Sequence, residues 1–203
     1  MLFHDYLEML LGSKVKIKVL RTLWKYRGKE FTIRELAKFL GISHTGVKKV
    51  LDDLEKTNVI RVRTLGRSYA FKLNENSYGA GMVEKVFDME GRTLLELKAM
   101  IKERLTSPSI ASAVLYGSIL EGKEMPRSDI DLLIVTKERK KVEEVVVELQ
   151  KDASERFGNS ISAYYISEED LRRKREESPI KQALQNHVLI CGKPLGESYV
   201  SES

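Results

Sequence analysis

A glycine-serine pair between two apolar runs, followed by two aspartates, constrains this chain more than any other feature. The run Ile110–Leu115 leads into Gly117-Ser118, and ten residues later Asp129-Ile130-Asp131 leads into a second apolar run, Leu132–Val135. This pattern predicts a strand, a tight turn, a short helix, a loop and a second strand. Because residues two apart on a strand project from the same face, we expect both carboxylates to point the same way.

The two residue pairs fit the chemistry of a magnesium-phosphate site. Carboxylates crowded on one face repel each other unless a cation lies between them, and Mg²⁺ usually takes one or two carboxylates together with substrate phosphates. Gly117 lets the backbone approach a phosphate, and Ser118 adds a hydroxyl at a helix start. Alternatively, the aspartates lie on an edge strand, where their charge prevents pairing with another chain, and the glycine-serine pair is an ordinary turn. A sheet edge does not require a phosphate-sized turn at a fixed distance upstream, so we favour the first interpretation.

The spacing of Gly117-Ser118 and Asp129-Ile130-Asp131 resembles the signature of the nucleotidyltransferase superfamily of DNA polymerase beta type, and within it the minimal nucleotidyltransferases. The resemblance covers roughly residues 92–195. It implies that a nucleoside monophosphate is transferred from a nucleoside triphosphate to an acceptor hydroxyl with release of pyrophosphate. Some relatives modify a partner protein as antitoxins and others modify small molecules, so the acceptor stays open.

The same resemblance assigns roles to six residues. Asp129 and Asp131 would be the catalytic and Mg²⁺-binding residues. The nucleotide phosphates would be bound by Gly117, Ser118, Lys123 and Arg127.

A third carboxylate is usual in this superfamily and is missing from the expected place in this chain. It normally comes from the strand after the intervening helix, and here that strand, residues 159–166, contains no acid. Ser160, Ser162 or Ala163 occupies the position. Nucleotide and one Mg²⁺ can still bind, but activation of the attacking hydroxyl is weakened. Two hypotheses follow: a nucleotidyltransferase with slow turnover, or a transcription regulator whose second domain is a silent nucleotide sensor or dimerisation unit.

The first third of the chain differs from the rest in charge. Residues 1–76 contain 16 Lys and Arg against 8 Asp and Glu, a net charge of +8, whereas residues 77–203 contain 19 against 22, a net charge of −3. Such an asymmetry indicates two domains with different partners. The basic domain is expected to bind a polyanion.

Local signals in this basic part predict a particular order of elements. Residues 13–27 have helical periodicity, Thr32 opens a capping box, Gly41 ends the next helix, and Ser43 caps another. Residues 59–63 and 68–73 predict a hairpin. The order resembles the winged helix-turn-helix of transcription regulators, which implies double-stranded DNA as a partner. The residues that would contact DNA lie on the helix after the turn and in the wing: Ser43, His44, Thr45, Lys48, Lys49, Arg61, Arg63 and Arg67. Winged helices also serve as protein-docking modules, but the charge favours DNA.

These signals predict an α+β chain of two domains: a winged helix-turn-helix at residues 1–76, a glycine-containing linker at 77–91, and a nucleotidyltransferase-fold α/β domain with a small mixed sheet at 92–203. No apolar run approaches the ~20 residues that span a membrane, so no membrane partner is expected. The single Cys191 is typical of a cytoplasmic protein without disulfides. The sequence leaves the oligomeric state open, and a homodimer is compatible with it.

Overall fold

In the computed structural model, which describes residues 6–122 and 128–196, the chain forms two compact units, one ending at Arg92 and the other beginning at Thr93. Each unit has a hydrophobic core and a sheet of its own. Among the helices of the described ranges, none is long and apolar enough to cross a membrane. The mixture of helices and separate small sheets is the predicted α+β class.

The first unit has the order of elements predicted for a winged helix. Its elements are α1 (Tyr6–Leu11), α2 (Lys14–Lys25), β1 (Phe31–Thr32), α3 (Ile33–Leu40), α4 (His44–Lys56), β2 (Ile60–Leu65) and β3 (Ser68–Leu73). The three strands form an antiparallel sheet in the order β1-β3-β2. Strands β2 and β3 are the predicted hairpin, so the wing follows directly on the helix that the sequence assigns to the major groove.

Local hydrogen bonds explain where α3 and α4 begin and end. The Thr32 hydroxyl accepts from the Glu35 amide at 3.3 Å, and the Glu35 carboxylate accepts from the Thr32 amide at 2.7 Å, which completes the predicted capping box. Gly41 ends α3 with φ 63, a left-handed conformation that glycine adopts without strain. The Ser43 hydroxyl then caps α4 by accepting from the Gly46 amide at 3.2 Å. These contacts fix the turn between the two helices.

The core of the first unit lies between its helices and the hairpin. Each helix contributes fully buried apolar side chains, including Leu23, Leu36, Leu51 and Leu54, and β3 adds Phe71. Burying a side chain of this size stabilises the fold by about 1.5–3 kcal/mol.

Residues 78–91, which we predicted to be a linker, are helical. They form the first half of α5 (Tyr78–Leu105), a helix of 28 residues. Val83 and Phe87 belong to the core of the first unit, where the Phe87 ring lies 5.4 Å from that of Trp24. Later residues of the helix, such as Ile101, belong to the core of the second unit. The division into domains at residues 76 and 92 stays a prediction, and the segment predicted as a linker between them is part of a helix.

The second unit is built on a four-stranded mixed sheet. After α5 come β4 (Ile110–Tyr116), α6 (Ser118–Glu121), β5 (Ile130–Thr136), α7 (Arg139–Phe157), β6 (Ile161–Ile166), α8 (Glu168–Arg173), α9 (Ser178–Gln185) and β7 (His187–Gly192). The strand order is β6-β5-β4-β7, with β5 and β6 parallel and the other pairs antiparallel. The last strand, β7, lies at one edge of this sheet.

Each face of this sheet is covered by helices. On one face, Leu132 and Ile134 of β5 pack with Val146 of α7 and with the second half of α5. On the other face, Leu133 and Val135 pack with residues of α8 and α9 such as Ile180. Asp131 alternates with Leu132 and therefore projects on the α8–α9 side.

Candidate functional site

The turn after β4 brings the backbone against one of the two aspartates. Strand β4 ends at Tyr116, Gly117 has φ 84 and ψ −161, and α6 begins at Ser118. A Cβ atom on Gly117 would lie 2.3 Å from Asp131 Oδ2 and would have to displace that carboxylate. Both the positive φ and the close approach therefore require glycine. The structure brings together the glycine and the aspartate that the sequence placed in one site.

Asp129 and Asp131 lie where β5 begins. Asp129 is one residue before the strand and exposed, whereas Asp131 is the second residue of the strand and partly buried. Burial and, after it, the charge of Asp129 raise the pKa of the Asp131 carboxyl. The metal-free protein therefore carries an electrostatic cost here that a bound cation would relieve.

The strand register aligns four polar side chains in one row across the sheet. Asp131 pairs with Ser162 of β6 on one side and with Tyr116 of β4 on the other, and Tyr116 pairs with His187 of β7. Paired residues on neighbouring strands project from the same face. Burial, together with the charge of Asp131 and the neighbouring Tyr164, raises the pKa of Tyr116 to about 12, so this phenol stays protonated at neutral pH.

The position of His187 could not be foreseen from the sequence. It lies in an apolar segment, and only the antiparallel pairing of β7 with β4 places it on the row that contains Asp131. No local signal in the sequence specifies which strand β7 joins.

Within residues 6–122 and 128–196, no three His, Cys, Asp or Glu side chains are grouped as metal ligands. Of the three candidates for the missing acid, Ser162 occupies the place beside Asp131, because those two residues are paired in the parallel ladder. Ala163 packs into the core on the other face, and Ser160 precedes β6. The acids Glu168–Asp170 begin α8, beyond the far end of β6. Strand β6 ends at Ile166, four residues beyond Ser162, so at about 3.3 Å per residue the strand runs roughly 13 Å past Ser162 before α8 begins.

Two predicted phosphate ligands, Lys123 and Arg127, lie outside the residues that the structure describes. Their roles stay predictions. Ser118 is described, and it begins α6 directly after the glycine turn.

The surface of α4 presents the side chains that were predicted to contact DNA. His44, Thr45, Lys48 and Lys49 are exposed, while Val47, Val50, Leu51 and Leu54 face the core. Ser43 is exposed as well, but its hydroxyl caps the helix, so reading a base with it would compete with that hydrogen bond. The other side chains that were predicted to contact DNA from this helix lie on the first two turns of α4.

The three wing arginines are not equivalent. Arg63 forms two hydrogen bonds with the Glu30 carboxylate, at 3.2 and 2.6 Å, and these bonds lower the pKa of Glu30. Arg61 donates to Asn74 Oδ1 at 2.8 Å. Arg67 is exposed at the tip of the hairpin, next to Gly66 with φ 58. Arg67 therefore lies in the turn of the hairpin, whereas Arg61 and Arg63 form hydrogen bonds with other side chains of the unit.

Residues 97–195 match the family model described as "Polymerase beta, Nucleotidyltransferase". The matched segment contains Gly117-Ser118 and also Asp129 and Asp131. No curated relative matches the chain.

Several solved structures are similar to the chain at low identity. The S. aureus MepR–DNA complex is 20% identical, with a TM-score of 0.38, over 50% of this chain and 85% of that chain. A toxin-antitoxin solved with AMP-PNP is 14% identical, with a TM-score of 0.34, over 51% and 77% of the respective chains. TrmBL2, an archaeal chromatin protein, is 16% identical, with a TM-score of 0.27, over 82% and 70%.

Proposed function

We propose that this chain, whose residues 97–195 form a nucleotidyltransferase domain of the polymerase beta type, binds Mg²⁺ with a nucleoside triphosphate and transfers a nucleoside monophosphate slowly to an acceptor hydroxyl. The observation that carries the proposal is the approach of the Gly117 turn to Asp131, where a Cβ would lie 2.3 Å from the carboxylate oxygen. A phosphate-binding turn in contact with a metal-binding carboxylate is what this reaction needs.

The residues present fit a magnesium ion. Asp129 and Asp131 offer hard oxygen ligands, and a divalent cation would offset both the burial and the charge of Asp129, which together raise the pKa of Asp131. When bound, Mg²⁺ neutralises charge on the nucleotide phosphates. Backbone amides at Gly117 and the hydroxyl of Ser118 would hold those phosphates, and Lys123 and Arg127 are proposed to assist them.

Slow turnover follows from the residue beside Asp131. Ser162 cannot compensate the charge of a second Mg²⁺ or act as a base at neutral pH. The alternative function, a silent nucleotide sensor or dimerisation unit, rests on the same observation. The two functions share the fold and differ in whether pyrophosphate is released.

Calorimetric titration of the full chain with Mg²⁺ and a non-hydrolysable triphosphate tests the site. We expect binding by the wild type and its loss in an Asp129→Asn/Asp131→Asn double variant. Glu168→Gln, at the far end of β6, is the matched control and should bind as the wild type does. Equal affinity in the wild type and the double variant would eliminate the metal role of the aspartates.

For the first unit we propose binding of double-stranded DNA through α4 and the wing. The support is the winged-helix order of elements and the exposure of His44, Thr45, Lys48 and Lys49 on one helix. The lysines suit phosphates, and the two shorter side chains suit base edges. Substituting His44 or Thr45 should therefore change the preference among sequences in a binding-site selection. An unchanged sequence preference in both variants would exclude base-specific contacts by His44 and Thr45.

A homodimer through α5 is proposed as the assembly of the first unit. Tyr78, Val86 and Met89 are 69%, 42% and 72% exposed and lie within one face of the helix. Lys85 and Asp88 lie beside this apolar stripe, both on the same side of it. Their opposite charges would complement each other across an antiparallel pair of helices from two copies.

Sedimentation measures the assembly directly. Val86→Glu should shift a dimer towards the monomer, while Val147→Glu, at a residue 56% exposed on α7, should not. A wild type that sediments as a monomer at all concentrations would disprove the dimer. A cytoplasmic location and a protein acceptor are further proposals, consistent with the single cysteine and with the resemblance.

A further inference from the structure

The Ser162 side chain is exposed beside the paired aspartates. It belongs to the second residue of β6, which is the direct partner of Asp131 in the parallel ladder between β5 and β6. Neighbouring strands lie about 4.8 Å apart, and paired side chains project from the same face. The hydroxyl of Ser162 therefore stands next to the Asp131 carboxylate, and its exposure leaves it accessible to a ligand bound there.

The other hydroxyls of this strand are placed differently. Tyr164 shares the face of Ser162, but it is two residues farther along the strand and its hydroxyl donates to Glu177 at 2.9 Å. Tyr165 packs with the core on the opposite face. Ser160 comes before the ladder with β5 begins. Ser162 is thus the hydroxyl of β6 that lies in register with the site.

We propose that Ser162 is itself an acceptor, so that the domain transfers a nucleoside monophosphate to its own chain. The inference rests on the proposed nucleotidyl transfer. The Ser162 Oγ atom forms a bond to the α-phosphorus of a nucleoside triphosphate, the bond between that phosphorus and the bridging oxygen of the β-phosphate breaks, pyrophosphate leaves, and the hydroxyl proton passes to solvent. The product is a phosphodiester between the serine and the nucleoside.

Two features favour this acceptor. A hydroxyl held on a strand next to the site reacts without first being captured from solution, and such positioning contributes a large part of many rate accelerations. The residue also takes the place where an acid would otherwise assist an external acceptor. After transfer, the nucleotide attached to Ser162 would cover Asp131, so each chain would react once and then be blocked.

Mass spectrometry of the intact chain tests the inference. The full-length protein is incubated with Mg²⁺ and ATP, CTP, GTP or UTP in turn, and we expect the mass of one nucleoside monophosphate to be added with at least one of them. Fragmentation of the tryptic peptide 157–172 then locates the adduct. It should be on Ser162, be lost in Ser162→Ala and in Asp131→Asn, and persist in the matched control Ser160→Ala.

A binding measurement separates this inference from the proposed function. By calorimetry, Ser162→Ala should bind Mg²⁺ and a non-hydrolysable triphosphate as the wild type does, so that loss of the adduct is not loss of binding. Ser162→Asp should bind Mg²⁺ more tightly, because it adds a carboxylate beside Asp131, and should form no adduct. Nucleotide binding without an adduct, or an adduct that survives in Ser162→Ala, would refute the role of Ser162 and leave the proposed function standing. Absence of binding in the wild type would refute both.

Discussion

Replacing Gly117 by alanine tests whether the turn must approach the aspartate. Gly117 has φ 84 and ψ −161, a region that is essentially restricted to glycine and that costs another residue about 1–3 kcal/mol. In addition, the new methyl group would lie 2.3 Å from Asp131 Oδ2, so the carboxylate has to move. We expect Gly117→Ala to lose about 1–3 kcal/mol of unfolding free energy and to bind Mg²⁺ with a triphosphate more weakly than the wild type.

Gly158→Ala is the matched control for this substitution. Gly158 also has a positive φ of 74, but nothing lies within 4 Å of the position of its Cβ. It should therefore lose about 1–2 kcal/mol from backbone strain and keep its nucleotide affinity. Urea unfolding followed by circular dichroism gives the stability, and calorimetry gives the affinity. If Gly117→Ala binds the nucleotide as tightly as Gly158→Ala does, close approach of the turn to Asp131 is not needed for binding.

Three further outcomes are expected. The double change Lys48→Ala/Lys49→Ala should weaken DNA binding alike for all sequences and lower the salt slope by about 2, whereas Lys140→Ala on α7 should not; an unchanged slope in gel-shift titrations would exclude phosphate contacts by these lysines. Thr32→Ala should lose about 1 kcal/mol of unfolding free energy through the capping box, which urea unfolding measures. Because the pKa of Asp131 is raised in the folded protein, its stabilising contribution is full below its ordinary pKa of 3.8 and is lost as pH rises through the folded-state value; Asp131→Asn should therefore stabilise the metal-free protein at pH 7, and a less stable variant would contradict this.

In the first unit, local signals predicted α2, α3, α4 and the hairpin, but not α1, β1 or the helix over residues 78–91. The Thr32 capping box and the end of α3 at Gly41 depend on residues close in sequence, so the sequence specifies them. Residues 78–91 were misjudged because their glycines weaken a helix by about 0.5–1 kcal/mol each. Tertiary packing outweighs that cost, and it also explains one of the glycines: a Cβ on Gly79 would lie 2.6 Å from a methyl group of Val59.

The sequence predicted the residues of the candidate site and named Ser162 as one of three candidates for the place beside the aspartates, but it did not determine which of the three lies there. The glycine turn and the aspartates follow from a motif of fixed spacing, whereas the placement of Ser162 beside Asp131 and of His187 in the same row depends on strand pairing between distant segments. The ion pair between Arg63 and Glu30 could not be predicted either, because the two residues are far apart in sequence. Such long-range pairs come from the fold as a whole.

Counting the pyrophosphate released per chain tests the central claim most directly. The protein is incubated with Mg²⁺ and labelled nucleoside triphosphate, with and without cell extract as a source of acceptors. Ser162 stands where a third carboxylate would activate an external acceptor, and as the proposed acceptor it would take up one nucleotide and block the site. We therefore expect the wild type to release no more pyrophosphate than there are chains, and Ser162→Asp to release more with extract present. Many turnovers by the wild type that disappear in Asp131→Asn would contradict the account, because they would require a complete catalytic site without an acid beside Asp131.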